Sequence, residues 1–170
     1  LVKENNMAIL SMRGTKRDFN SHFFITNKVV DRHTLDNTAD SMAVFPLNVV
    51  SNEGQQKVLF ERQISSSNFS GAFWKWFDAN SLGSTVPPDD IFYYIYAILY
   101  SNIYREKYFE FLKSDFPHIP FTKNDDLFFK LGKLGNQLAN LHLLKSDSLD
   151  FSPVKLYGQE DNLVEKREWK

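Results

Sequence analysis

Apolar positions follow two different periods along the chain, short and strand-like at first, then helical. Met7-Ala8-Ile9-Leu10, His22 to Thr26 and Ala43 to Val50 are short apolar runs rich in β-branched or aromatic residues, which is strand character. Turn-formers separate them, at Arg13-Gly14-Thr15-Lys16 and Asp36-Asn37-Thr38. Lys57 to Ile64 fits a further strand or a short helix equally well. Ser65-Ser66-Ser67-Asn68 reads as a loop or cap, and the aromatic cluster Phe73 to Phe77 as a segment of a short helix.

Beyond residue 86 the period becomes helical. Pro87-Pro88-Asp89-Asp90 is a start signal, since Asp caps free N–H groups and Pro closes the preceding segment. Ile91, Ile95, Ile98, Leu99 and Ile103 follow at helical spacing, and Ser101-Asn102 recaps a second helix that runs through Leu112. Asp115-Phe116-Pro117 terminates it. Asn124 or Asp125 opens a third helix, in which Leu127, Leu131, Leu134, Leu138 and Leu141 alternate by four and three into one apolar stripe. Gly132 and Gly135 inside it point to close packing of a neighbour. The chain turns polar from Ser146, and Val154 to Tyr157 reads as a strand returning to the sheet. The expected fold is α+β, a strand-rich N-terminal half packed with a three-helix C-terminal half. It divides into a strand-rich portion (residues 1–86), a helical scaffold (residues 87–145) and a return segment (residues 146–170).

Composition narrows the class. With 170 residues, 42% of them apolar, the chain is long enough to bury a core as one domain. Aromatics reach 15%, and the bland assignment for most of them is the core. The absence of cysteine excludes disulfides, Cys-ligated zinc, iron–sulfur clusters and thiol catalysis. The longest apolar run, Ile91 to Tyr100, is half the ~20 residues that a membrane span needs. With no secretory leader in view, a soluble, cytoplasmic protein is expected. Leu1 in place of an initiating Met, and an end just after an apolar stretch begins, suit a fragment of a longer chain.

The net charge of −1 gives no global attraction for nucleic acid. The charge is uneven, however: residues 1–77 carry a surplus of +2 and the remainder −3. Catalytic constellations are missing. His22, His33, His118 and His142 lack metal-ligand spacing, and neither a Gly-x-Ser-x-Gly elbow nor a phosphate-cradling loop occurs. Asp89-Asp90 and Asp125-Asp126 stand where helix starts favour acids. What remains is Ser11 to His22, which sets cations around a glycine turn between two strands. There Arg13 is suited to reading guanine, Lys16 and Arg17 to neutralising phosphate, and Asn20 to pairing with adenine, with Lys28 and Arg32 extending the patch. A merely solvated cationic turn is the competing reading.

The run Phe92 to Tyr108, followed by Glu110 to Pro120, closely resembles the C-terminal specificity region of Type ISP restriction-modification enzymes and their adenine-methyltransferase relatives. The likeness continues through Leu127-Phe128, Leu131 to Leu134-Gly135, Leu138-Ala139 and Leu141 to Leu144, and more loosely upstream at Ser21 to Lys28 and Val44 to Leu47. The resemblance implies a target-recognition domain whose partners are double-stranded DNA and the methyltransferase domain of the same chain, with no membrane. The parent would transfer methyl from S-adenosylmethionine to adenine N6. The Asn-Pro-Pro-Tyr motif of that chemistry is absent, so no cofactor is expected in this segment. The helical portion then reads as scaffold, with Tyr96, Leu99, Ile103 and Phe111 at core spacing and Arg105-Glu106-Lys107 as a solvated or ion-paired face. Base contacts belong in the strand-and-loop portion. Two alternatives stand beside this reading: a docking module that uses the Phe73–Phe77 cluster and the helices, and a small enzyme with an unrecognised site.

Overall fold

The structure, a computed structural model, describes residues 6–13, 23–31, 34, 42–50, 65–80 and 86–151. Among these, β1 (Ala8–Met12) is the centre of a three-stranded antiparallel sheet, between β2 (Phe24–Thr26) and β3 (Met42–Pro46). All five residues of β1 are buried, as expected of a central strand covered on both faces. The apolar run 43–50 is not one strand. It breaks at buried Leu47, and β4 (Asn48–Val50) pairs instead with β5 (Ser65–Ser67). Asn6 holds the corner, its Nδ2 donating to Asn48 O at 2.7 Å while Asn48 N donates to its Oδ1 at 3.1 Å. The serines of β5 have little strand preference of their own, which is why they read as a loop; the partner strand supplies the ladder.

Helix α1 (Gly71–Asn80) starts where Ser70 Oγ accepts from Phe73 N at 3.1 Å. Helix α2 (Pro88–Tyr100) starts at the expected signal, but Pro87 is its N-cap and no side chain caps it; Asp89 and Asp90 stand in its first turn, where the helix dipole favours acids. The expected second helix is divided into α3 (Asn102–Lys107), capped by Ser101, and α4 (Phe109–Leu112). Tyr108 leaves helical geometry (φ −108°, ψ 17°), although its N–H still bonds Tyr104 O at 3.0 Å. Tyr104 and Leu112 are both buried, and eight residues along a straight helix would set them ~80° apart. The bend at Tyr108 lets both face the core. Helix α5 (Asp125–His142) is capped by the Asn124 side chain, which accepts from Leu127 N at 2.9 Å.

Helices α2 and α5 form the main helix pair. Gly132 lies against Asp90, Gly135 against Tyr93 and Ala97, and His142 against Tyr96 and Tyr100, so the two run in the same direction. A Cβ at Gly135 would overlap the backbone oxygen of Tyr93. The expected close approach is therefore backbone on backbone. It also decides which face of α5 is buried: Phe128, Gly132, Gly135 and Ala139 press on α2, not the leucine stripe. That stripe lies roughly a third of a turn to one side. Leu127 and Leu134 remain 46% and 57% exposed, with Leu131, Leu138 and Leu141 half-buried. Ile103 and Phe111, at core spacing in the sequence, point outward at 78% and 69% exposure. Strands and helices share one core, in which Ile9, Ile25 and Leu47 meet Phe92, Tyr96, Leu99 and Leu112. A second cluster, around Tyr94, Phe77 and Phe128, joins α1 to the helix pair.

Candidate nucleic-acid interface

The cationic segment after β1 leaves the sheet at Arg13 and returns at Phe23, and the helical scaffold grips it at both points. At the exit, Arg13 Nε donates to Asp115 Oδ1 at 3.2 Å, between residues 102 apart in sequence. Asp115 is itself fixed, because Phe116 N donates to the same oxygen at 2.8 Å. That backbone N–H, and then Arg13, hold the Asp115 carboxyl below the usual carboxylate range. At the return, Tyr100 Oη donates to Phe23 O at 2.5 Å. Arg105 lies over the Tyr100 ring at 4.5 Å and over Phe23 at 5.8 Å, with its Nε donating to Leu99 O at 2.6 Å. Arg105 is thus a half-buried brace and not part of the solvated or ion-paired face that its Arg-Glu-Lys setting suggests; Glu106 and Lys107 are exposed, as that setting implies. A guanidinium is planar and stacks on aromatic rings, which suits it to the place.

Behind the brace, Tyr96 Oη and His142 Nδ1 are 2.7 Å apart. Burial raises the Tyr96 hydroxyl far above its ordinary range. Desolvation, and then the Arg105 charge, lower His142. Tyr104, pushed up to about 12 mainly by burial, donates to His118 O at 2.9 Å. These hydroxyls stay protonated near neutral pH and serve as structural donors. Sequence reasoning missed Asp115, Tyr100 and Arg105 as anchors. The aromatic run Tyr96–Tyr104 gave a partial signal, but nothing local marks Asp115, which reads as one residue of a helix stop.

Of the six candidate DNA contacts, Arg13 and Lys28 are described, both exposed, whereas Lys16, Arg17, Asn20 and Arg32 lie outside the described residues. The structure does not bring Arg13 and Lys28 together. The register pairs Ala8 with Thr26 and Leu10 with Phe24. Lys28 therefore leaves the ladder where β1 begins, and Arg13 leaves it where β1 stops. Five residues of strand, roughly 16 Å, separate those ends.

Between the sheet and α2 lies a cavity of about 340 Å³, walled chiefly by Ile9, Phe45, Leu47, Phe92, Leu99 and Phe116. No titratable side chain lines it among the described residues. Among the described residues no group of three or more His, Asp or Glu could hold a metal ion, and no helix is long and apolar enough to cross a membrane.

Comparison with known proteins agrees with this architecture. Residues 1–170 match the family described as the Type ISP C-terminal specificity domain. Among solved structures, a chain of the cryo-EM structure of a DrdV–DNA complex is similar, at 25% identity over 81% of this chain with a TM-score of 0.61. This chain spans 12% of the length of that one. No curated protein matches. The chain belongs to the Type ISP C-terminal specificity domain family.

Proposed function

We propose that this chain is the DNA-recognition module of a restriction-modification enzyme, without catalytic activity of its own. The observation that carries this reading is the family match along the whole chain, joined to the likeness to a chain solved in a DNA complex. A cationic segment held at both ends by a helical scaffold supports it. Recognition loops on a rigid frame can vary in sequence while the frame stays constant. The parent enzyme would carry the chemistry: transfer of a methyl group from S-adenosylmethionine to adenine N6, on a methyltransferase domain of the same polypeptide. In that division of labour the module holds the duplex in register while the target base is flipped elsewhere.

Fluorescence anisotropy with a duplex across a salt series tests the reading. Nonspecific affinity should fall near 10⁻⁴ to 10⁻⁶ M at physiological salt. Each phosphate-contacting cation removed should flatten the slope of log K against log salt by about 0.9. Comparing wild type with Arg13→Ala/Lys16→Ala/Arg17→Ala locates the contacts. Equal binding by both proteins would place the surface elsewhere, and a folded chain that binds no duplex at low salt would overturn the reading.

A second reading, docking onto another domain, draws on the exposed apolar groups of α1 and of the helical scaffold. Ile103, Phe111, Leu134 and Trp76 are 78%, 69%, 57% and 47% exposed. Association with a partner that is insensitive to salt would favour it. The two readings are compatible, because a recognition domain must also sit on its methyltransferase.

A further inference from the structure

We infer that Asp115 is a positioning residue that presents Arg13 to read one guanine, an inference that rests on the DNA-recognition reading above. Arg13 engages Asp115 through Nε alone, and among the described residues its Nη1 and Nη2 have no partner. The side chains are 73% and 49% exposed, so among the described residues nothing covers the other edge of the guanidinium. That edge carries the two parallel N–H donors that match guanine O6 and N7 in the major groove. An exposed Arg on a strand end normally samples many rotamers, and each must be given up on binding. A carboxylate on Nε removes much of that freedom before DNA arrives. The carboxylate itself is held, since Phe116 N donates to the same Oδ1 at 2.8 Å and the Phe116 ring packs edge-on against Phe45 of β3 at 5.5 Å. The brace therefore runs from strand to Arg13 to the segment after α4 and back to the sheet.

Charge separates this role from phosphate binding. An Arg–Asp pair has no net charge and adds little to the field that attracts a polyanion. What it keeps is direction, which serves base reading more than steering.

The test uses the 170-residue chain as wild type, Asp115→Asn, Arg13→Ala and the double variant. Each is checked for an unchanged far-UV spectrum and melting temperature. The sequence preference of each is then read by selection from a randomised duplex pool at moderate salt, followed by anisotropy on the selected duplex and on single-base variants of it. Wild type should prefer guanine at one position by about tenfold or more. Asp115→Asn and Arg13→Ala should each flatten the preference at that same position while other positions keep theirs, and the double variant should lose no more than Arg13→Ala alone. A merely structural role for Asp115 would not move one base position alone. The inference is overturned if Asp115→Asn keeps the wild-type preference. It is also overturned if Arg13→Ala weakens all sequences equally and lowers the salt slope by about one, because Arg13 would then be a phosphate contact. Tighter binding by Asp115→Asn with its preference intact would make Asp115 a competitor for Arg13, which again overturns it. Failure of folded wild type to bind any duplex would remove the DNA reading itself; the other outcomes remove only the role of Asp115.

Discussion

At Gly135 two opposing effects meet, and their sizes decide the outcome of a substitution. Alanine is the better helix former by about 1 kcal/mol, which favours Gly135→Ala in an isolated helix. In the fold, the new Cβ would overlap Tyr93 O and lie 2.8 Å from Tyr93 C, both backbone atoms of a neighbouring helix that no rotamer change can move. Overpacking of this kind costs about 3 kcal/mol or more, so the clash wins. Gly135→Ala should lower the melting temperature by about 6 °C or more in a thermal scan. An unchanged or raised melting temperature would mean that α2 and α5 do not approach as closely as described. Gly132, whose added Cβ would meet Asp90 O at 3.4 Å, is the natural control, since that is an ordinary contact distance.

Helix α5 carries two apolar faces with different fates. Phe128 is fully buried and stacks on Tyr94 with ring centroids 4.6 Å apart. Phe128→Ala should cost about 3–5 kcal/mol in denaturant unfolding. Leu134, on the leucine stripe, is 57% exposed, and glutamine forms helix about as well as leucine. Leu134→Gln should therefore change stability by less than about 0.5 kcal/mol. The reverse order of effects would show that the stripe, and not the glycine face, is the packed one. The same contrast explains the misleading signal in the sequence. A stripe at spacing four and three reports an amphipathic helix, but the face that packs closest is the one with the smallest side chains, and those contribute almost nothing to an apolar pattern.

At the scale of the molecule, the strand-rich and helix-rich halves share core residues, with Ile9, Ile25 and Leu47 against Phe92, Tyr96 and Leu99. Neither half can open without exposing the apolar groups of the other. The chain should unfold in one step, with far-UV circular dichroism, which follows the helices, and tryptophan fluorescence, to which Trp74 and Trp76 in α1 contribute beside Trp169, giving the same midpoint. Two separate midpoints would mean that the α1 cluster and the rest melt independently. The net charge of −1 also bears on function at this scale. A nearly neutral molecule gains little long-range steering, so any DNA affinity must come from local cations and vary steeply with salt.

The sequence by itself determined the elements whose causes are local. The start of α2 at Pro87-Pro88-Asp89-Asp90, the cap at Asn124 and the short aromatic helix α1 depend on neighbours within a turn. Family resemblance was legible in the run Phe92 to Pro120 for a similar reason, since that run is unbroken in the chain and carries most of α2 with all of α3 and α4. The strand status of Ser65–Ser67, the break at Leu47 and the bend at Tyr108 were decided elsewhere, by a ladder partner or by the need of two distant side chains to reach one core. The opposite ends taken by Arg13 and Lys28 follow from antiparallel register, which proximity in sequence conceals. Asp115, 102 residues from Arg13, meets it only because the segment after α4 folds back onto the sheet. Local chemistry sets what a residue can do; which residue it does it with is a long-range contact, and only the tertiary structure supplies that.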